Sequence, residues 1–349
     1  PAGGAPAPAA STTDASPPGS AAPAAELAAE LRRLESARGV RIGAFAYDPA
    51  SGRTLSYRAD ESFPVLSTFK AFVAAAVLDK ARRVSPGLLE RKVHWTARDE
   101  VSDSPTTRGR GVAGMTVAEL CHAAVTRSDN TAGNLLLREI GGPSGLTRHH
   151  RALGDPVTRL DRWEPELNDW HPGEPRDTTT PAAAGRALER VALGTALVPE
   201  DRARLNGWLR ATVTGSERIR AGVPEDWEVG DKTGTSSAYG GAHDIAVVRP
   251  RSGAPVVLAI LTRRTTAAAP SDSVSVADLP VLGHAGPDPL GAGDGGAQPA
   301  VQPCPVFGHQ GRTEGHPFEG AAGGGRCGGV AWLPRVPVVE FGLPAVQPG

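Results

Sequence analysis

The sequence predicts an α/β protein of the α+β kind, with an antiparallel sheet flanked by helices and an all-α lobe beside it. Two observations predict it. Strand-like segments lie at the two ends of the body, between 40 and 57 and between 228 and 262. Helical periodicity fills most of the stretch between them, from 66 to about 210. Strands at both ends with helices between imply one sheet closed from the two ends and a helical lobe inserted into it.

Each element has its local reason. Residues 1–23, dominated by Pro, Ala, Ser, Gly and Thr, have little to bury and read as a disordered tether of the kind that follows a removed signal peptide. "AAELAAELRRLESARG" sets Leu27, Leu31 and Leu34 on one helical stripe, and Gly39 suits its stop. "VRIGAFAYDPASGRTLSYR" reads as strand, turn at Asp48–Gly52, strand. "LSTFKAFVAAAVL", residues 66–78, goes apolar all round behind a serine and a lysine, so its helix is buried. Glu228–Thr233, Asp244–Val248 and Val256–Thr262 complete the strands.

The expected body is therefore 24–270, with an α/β lobe of 24–60 and 211–270 and a helical lobe of 61–210. Beyond it, 271–349 is rich in Pro and Gly, lacks Lys, Ile, Met, Asn and Tyr, and holds no sustained period. A frameshift near 270–280 would account for so abrupt a change. Resequencing that found no alternative frame encoding an amphipathic helix would remove that explanation.

A net charge of -1 over 349 residues does not suggest a nucleic acid or an anionic membrane as partner. No apolar run approaches the roughly 20 residues of a membrane span. The three cysteines, Cys121, Cys304 and Cys327, are too few and too widely spaced for a metal site or a disulfide framework. Cys121, in "VAELCHAAV", reads as a buried free thiol.

Four polar stretches carry the chemistry. Ser67 and Lys70 share a face, one turn apart, at a helix mouth where N–H groups favour developing negative charge. A desolvated lysine there can act as a base toward the hydroxyl. Taken alone the pair also fits a helix-capping serine and a solvent-facing lysine. "TRSDNTAGNLLL" puts Ser128, Asp129 and Asn130 at a turn into an apolar helix, which an Asp or Ser cap would also explain. "RLDRWEPELNDWHPGEPRDTTTP" is a long polar loop holding Glu164, Pro165 and Asn168, flanked by Arg162 and Asp177. Loops of that length are functional or disordered. "DKTGTSSAYGG" ends a strand with Lys232, Thr233, Gly234 and Thr235, and an edge strand with a protective lysine would read the same.

All four in this order resemble the class A serine β-lactamases, whose signature is S-x-x-K, then S-D-N, then K-T-G. "RWEPELN" looks like that family's omega loop, and the heavy use of Ala, Gly, Pro and Arg gives the chain an actinobacterial look. The resemblance covers roughly 24–268 and implies the serine β-lactamase/transpeptidase fold, with the active site between the lobes. It implies a secreted enzyme, monomeric, needing no metal or cofactor, that hydrolyses a small-molecule β-lactam such as a penicillin or cephalosporin and so confers resistance.

By that resemblance Ser67 is the nucleophile, Lys70 its activator, Ser128 the proton relay to the leaving nitrogen, and Glu164 the base for the deacylating water. Asn168 holds that water. Asn130 binds the substrate amide, and Lys232, Thr233, Gly234 and Thr235 face its carboxylate, with Arg218 a second positive charge there. Arg162 and Asp177 pin the loop, Pro165 follows a cis bond, and Asp129 shapes its turn. A penicillin-binding D,D-peptidase and a β-lactam sensor share parts of this set, but neither has a use for Glu164. A damaged, inactive gene product is the third alternative. Two departures stand out. Asp103 replaces an aromatic side chain at the pocket mouth, and the body holds no second cysteine to pair with Cys121.

Overall fold

The computed structural model describes residues 21–273, together with Gly283–His284 and Glu340–Phe341, a parallel pair within a separate unit, 283–349. The expected tether lies outside the described residues as far as residue 20, and so does nearly all of the Pro/Gly-rich tail. The chain is helical three residues earlier than expected. α1 runs Ala21–Arg38, with Pro23 in its first turn, where a missing N–H costs nothing. Leu27, Leu31 and Leu34 are buried as one stripe, and Gly39 takes φ +60 at the stop.

β1 (Val40–Tyr47) turns back into β2 (Thr54–Tyr57) through Asp48 and Gly52, whose N–H donates to the Asp48 carbonyl at 2.9 Å. β7 (Glu228–Thr235), β8 (Ala242–Arg249) and β9 (Val256–Arg264) return from the other end of the body. The sheet is antiparallel throughout, in the order β2-β1-β9-β8-β7. β7 is an edge strand and carries Lys232 to Thr235 to the sheet margin.

Between the two halves come β3 (Phe63–Pro64), α2 (Phe69–Arg83), β4 (Lys92–Val93), β5 (Met115–Thr116), α3 (Val117–Thr126), α4 (Asn130–Glu139) and α5 (Gly142–Ala152). β6 (Thr178–Thr179), α6 (Pro181–Ala192), α7 (Pro199–Arg210) and α8 (Ile219–Gly222) follow. α2 is buried without a break from Phe69 to Leu78, as its all-apolar sequence requires. α6 falls within the expected helical lobe by chain order, yet it lies on the sheet. A Cβ on Gly185 would sit 2.4 Å from the Phe45 ring, and one on Gly43 would sit 2.6 Å from Pro181. Two glycines therefore let helix and strand approach closely. One continuous apolar core joins Phe45, Val257 and Leu261 of the sheet to Leu120, Leu136 and Val125 of the helices. Among the described residues no helix is long and apolar enough to cross a membrane.

Candidate active site

Ser67 sits in a single 3-10 turn, Leu66–Thr68, that runs straight into α2 and makes no side-chain cap. The capping explanation of Ser67 is thereby excluded. Leu66 takes φ +46, unusual for a branched residue, and is fully buried, so packing holds the turn. Lys70, one turn on, is fully buried too. Its ammonium donates to Ser67 Oγ at 2.7 Å, Asn130 Oδ1 at 2.5 Å, the Ser128 carbonyl at 3.0 Å and Glu164 Oε1 at 2.8 Å. Each of those partners belongs to one of the sequence stretches singled out above.

Glu164 is buried, and its carboxylate accepts from Ser67 Oγ at 3.3 Å and from Asn168 Nδ2 at 2.6 Å. The Glu164–Pro165 bond is cis. Arg162 Nε donates to Asp177 Oδ2 at 2.6 Å, and Asp177 Oδ1 accepts the N–H groups of Asp161 and Arg162 at 2.7 and 2.9 Å. The 161–177 loop is thus closed at its base, and the Asp177 carbonyl accepts from Val65 N, two residues before Ser67. Asp129 caps α4 by accepting from Ala132 N at 2.9 Å and also accepts from Thr106 and Thr107, so it shapes its turn and does not face the site.

Lys232 lies on the edge strand but is wholly buried, which excludes the protective-lysine explanation. It donates to Ser128 Oγ at 2.9 Å and to the Thr233 carbonyl at 2.8 Å. Burial first, then the nearby Lys70 charge, push its ammonium well below the ordinary lysine range. Gly234 lets β7 pass against the nucleophile turn. A Cβ there would sit 2.9 Å from Leu66 Cβ and 3.4 Å from Ser67 N. Arg218 is buried beside the strand end, donating to the Gly234 carbonyl at 2.8 Å and to Thr235 Oγ1 at 2.5 Å. Burial lowers its pKa.

Residues missed in the sequence complete the frame. Asn134 accepts from Glu164 N at 3.0 Å and donates to the Glu164 carbonyl at 2.9 Å, clamping the carboxylate's own backbone. It stands four residues after Asn130, hence on the same helix face, and that spacing was the available signal. Thr214 shares a hydroxyl contact with Thr233 at 2.6 Å. Gly133 leaves room for Lys70, whose Cε would lie 3.0 Å from a Cβ there. Cys121 is buried and free, and burial pushes its thiol up. Among the described residues no cluster of His, Cys, Asp or Glu could hold a metal.

In this arrangement a hydroxyl, an amine and a carboxylate meet, as acyl transfer to the hydroxyl followed by attack of a water would need. The model of the β-lactamase enzyme family matches residues 26–279. β-Lactamase FAR-1 of Nocardia farcinica is 49% identical over 250 residues, 72% of this chain and 79% of the relative. The carbapenem-hydrolysing β-lactamase KPC of Klebsiella oxytoca is 49% identical over 237 residues, 68% of this chain and 80% of the relative. The crystal structure of the Streptosporangium roseum β-lactamase superposes with a TM-score of 0.72 at 56% identity, covering 73% of this chain and 96% of that one. An ancestral class A β-lactamase gives a TM-score of 0.70 at 49% identity, covering 72% and 96%. With Ser67, Lys70 and Glu164 brought together on a fold that these enzymes share, the chain belongs to the β-lactamase enzyme family, among its class A members.

Proposed function

We propose that this β-lactam hydrolase works through an acyl-enzyme on Ser67 that water, activated by Glu164, then clears. In acylation Ser67 Oγ bonds to the lactam carbonyl carbon and the ring C–N bond breaks. The hydroxyl proton leaves toward Glu164, or toward Lys70 once that amine has passed its own proton to Glu164, and a proton reaches the ring nitrogen through Ser128, which Lys232 orients. N–H groups of Ser67 and Thr235 hold the oxyanion, each contributing about 3 kcal/mol. In deacylation a water oxygen bonds to the ester carbon, Glu164 takes its proton, the C–O bond to Ser67 breaks and the proton returns to Oγ. Asn168 positions that water, Asn130 binds the substrate amide, and Lys232, Thr233, Thr235 and Arg218 receive its carboxylate.

The single observation that carries this reading is the buried Glu164 carboxylate in contact with Ser67, Lys70 and Asn168 together. A D,D-peptidase or a sensor acylates without such a base. Penicillins and cephalosporins are the proposed substrates, the enzyme acts as a monomer outside the cytoplasm, and the catalytic body is 24–270. Intact mass with benzylpenicillin over time tests the mechanism. A transient adduct on Ser67 with substrate consumed far beyond one equivalent is expected. An adduct that persists on the unaltered chain overturns hydrolysis in favour of a sensor or peptidase.

A further inference from the structure

The outer arm of the 161–177 loop is held by a stack that the catalytic set does not use. Trp170 is buried and donates from its indole N–H to the Glu174 carbonyl at 3.0 Å. Its ring meets Tyr239, in the segment between β7 and β8, edge-on at 6.0 Å. The Arg263 guanidinium, at the end of β9, lies 5.7 Å from the Trp170 ring centroid and 5.9 Å from that of Phe63. Phe63 in β3 stands four residues before Ser67. Arg263 is held in turn by Glu61, which accepts from its NH2 at 3.1 Å and also binds Arg41. The row Phe63, Arg263, Trp170, Tyr239 therefore bridges the segment leading to the nucleophile, the loop that carries Glu164 and Asn168, and the strand end that carries Thr235. A weak contact from Ser236 Oγ to the Asn168 carbonyl at 3.4 Å lies on the same seam.

We propose that Trp170, gripped by Arg263 and Tyr239, is a positioning residue for deacylation. It sets how closely the loop approaches Ser67 and thereby where Asn168 and Glu164 hold the hydrolytic water. Arg162–Asp177 closes the loop's base, Arg162 also donates to the Asp169 carbonyl at 3.0 Å, and Asn134 holds Glu164's backbone, so the side-chain grip on the arm from Trp170 onward comes from this stack. Arg263 suits the place because its planar guanidinium can lie against both rings while keeping N–H donors for Glu61. The inference rests on the deacylation roles proposed above.

Its test is pre-steady-state kinetics and intact mass with benzylpenicillin on Trp170→Ala, Trp170→Phe, Arg263→Lys and Glu164→Gln in the full chain. Loss of loop position should slow deacylation alone. In Trp170→Ala, kcat falls by about 10- to 100-fold and KM falls with it, while the acylation rate holds and acyl-enzyme accumulates. Arg263→Lys shows the same split more weakly, and Trp170→Phe, which keeps an apolar ring on the stack, recovers most of kcat. A merely structural role would lower the active fraction and the melting temperature without moving KM or the adduct. Unchanged kcat, or equal loss in acylation and deacylation across the Trp170 and Arg263 variants, overturns the proposal. If Glu164→Gln fails to accumulate acyl-enzyme, the deacylation roles themselves fall. If Glu164→Gln accumulates it and the stack variants do not, only the positioning role falls.

Discussion

Asp103 is exposed and takes φ +55, and its carbonyl accepts from Asn130 N at 3.1 Å. Its backbone therefore shapes the site while its side chain is exposed, and the family resemblance puts that side chain at the pocket mouth. A carboxylate there repels an anionic substrate by about 1 kcal/mol at contact range in water. Asp103→Asn keeps a residue that tolerates the left-handed region and removes the charge. The expected outcome is a KM for benzylpenicillin lower by up to about fivefold, read by steady-state kinetics. Asp103→Tyr should lower KM as well, but a bulky residue at that φ costs about 1–2 kcal/mol, visible as a lower Tm. An unchanged KM in the Asn variant removes the electrostatic argument. Lys232 is the opposite case. A buried ammonium whose pKa burial has lowered gains most from an arriving carboxylate, which favours its charged form. Lys232→Ala should cost about 10- to 100-fold in kcat/KM for benzylpenicillin, through loss of a charged hydrogen bond. A methyl ester of the same substrate should lose far less between the two proteins.

Among the elements, the 161–177 loop has the least regular structure and the most side-chain ties. Asp177 is fully buried, and its carboxylate takes two backbone N–H groups as well as Arg162. Asp177→Asn leaves the Arg162 guanidinium partly buried and unbalanced. Removing one partner of such a pair costs about 3–5 kcal/mol. The expected result is a lower Tm together with an acyl-enzyme that lingers, because Glu164 loses its seat. This pin was legible in the sequence through the family resemblance, with Arg162 and Asp177 flanking the loop. The Asn134 clamp and the Trp170 stack were not. Asn134 looked like one more polar residue on a helix, and its partner lies 30 positions away. Arg263 and Trp170 lie far apart in the chain, and no periodicity links a strand end to a loop. The strands were legible from their apolar runs. Their order was not, since placing β9 between β1 and β8 is a matter of pairing, which β1 leaves open until β9 arrives.

For the molecule as a whole, pH reads the buried histidines. His243, on β8 behind Gly234, is fully buried, with Nε2 2.8 Å from the Pro64 carbonyl and Nδ1 3.2 Å from Thr262 N. Since Nδ1 must accept from that N–H, Nε2 carries the proton and the ring is neutral. Burial lowers its pKa to about 4, and burial on α5 does the same for His149, with His150 adding to it. The unfolded chain takes up these protons near 6.5, whereas the folded chain resists until about 4. Stability is therefore complete above pH 6.5 and falls as pH drops through that window, by about 3 kcal/mol per histidine. Asp99, held at about 2 first by the Thr96 N–H and then by Arg138, acts only below its ordinary 3.8 and stays out of that window. Asp231 and Asp244, whose carboxyl pKa values burial raises, take up protons in the folded chain first and offset part of this loss. His243→Gln keeps an acceptor for Thr262 N and a donor for Pro64 while removing the titration. Thermal unfolding between pH 7.5 and 4 should show a smaller loss of Tm in this variant than in the parent. A variant that follows the parent curve would show that His243 takes its proton in the folded state, and that β8 tolerates a charge opposite Gly234.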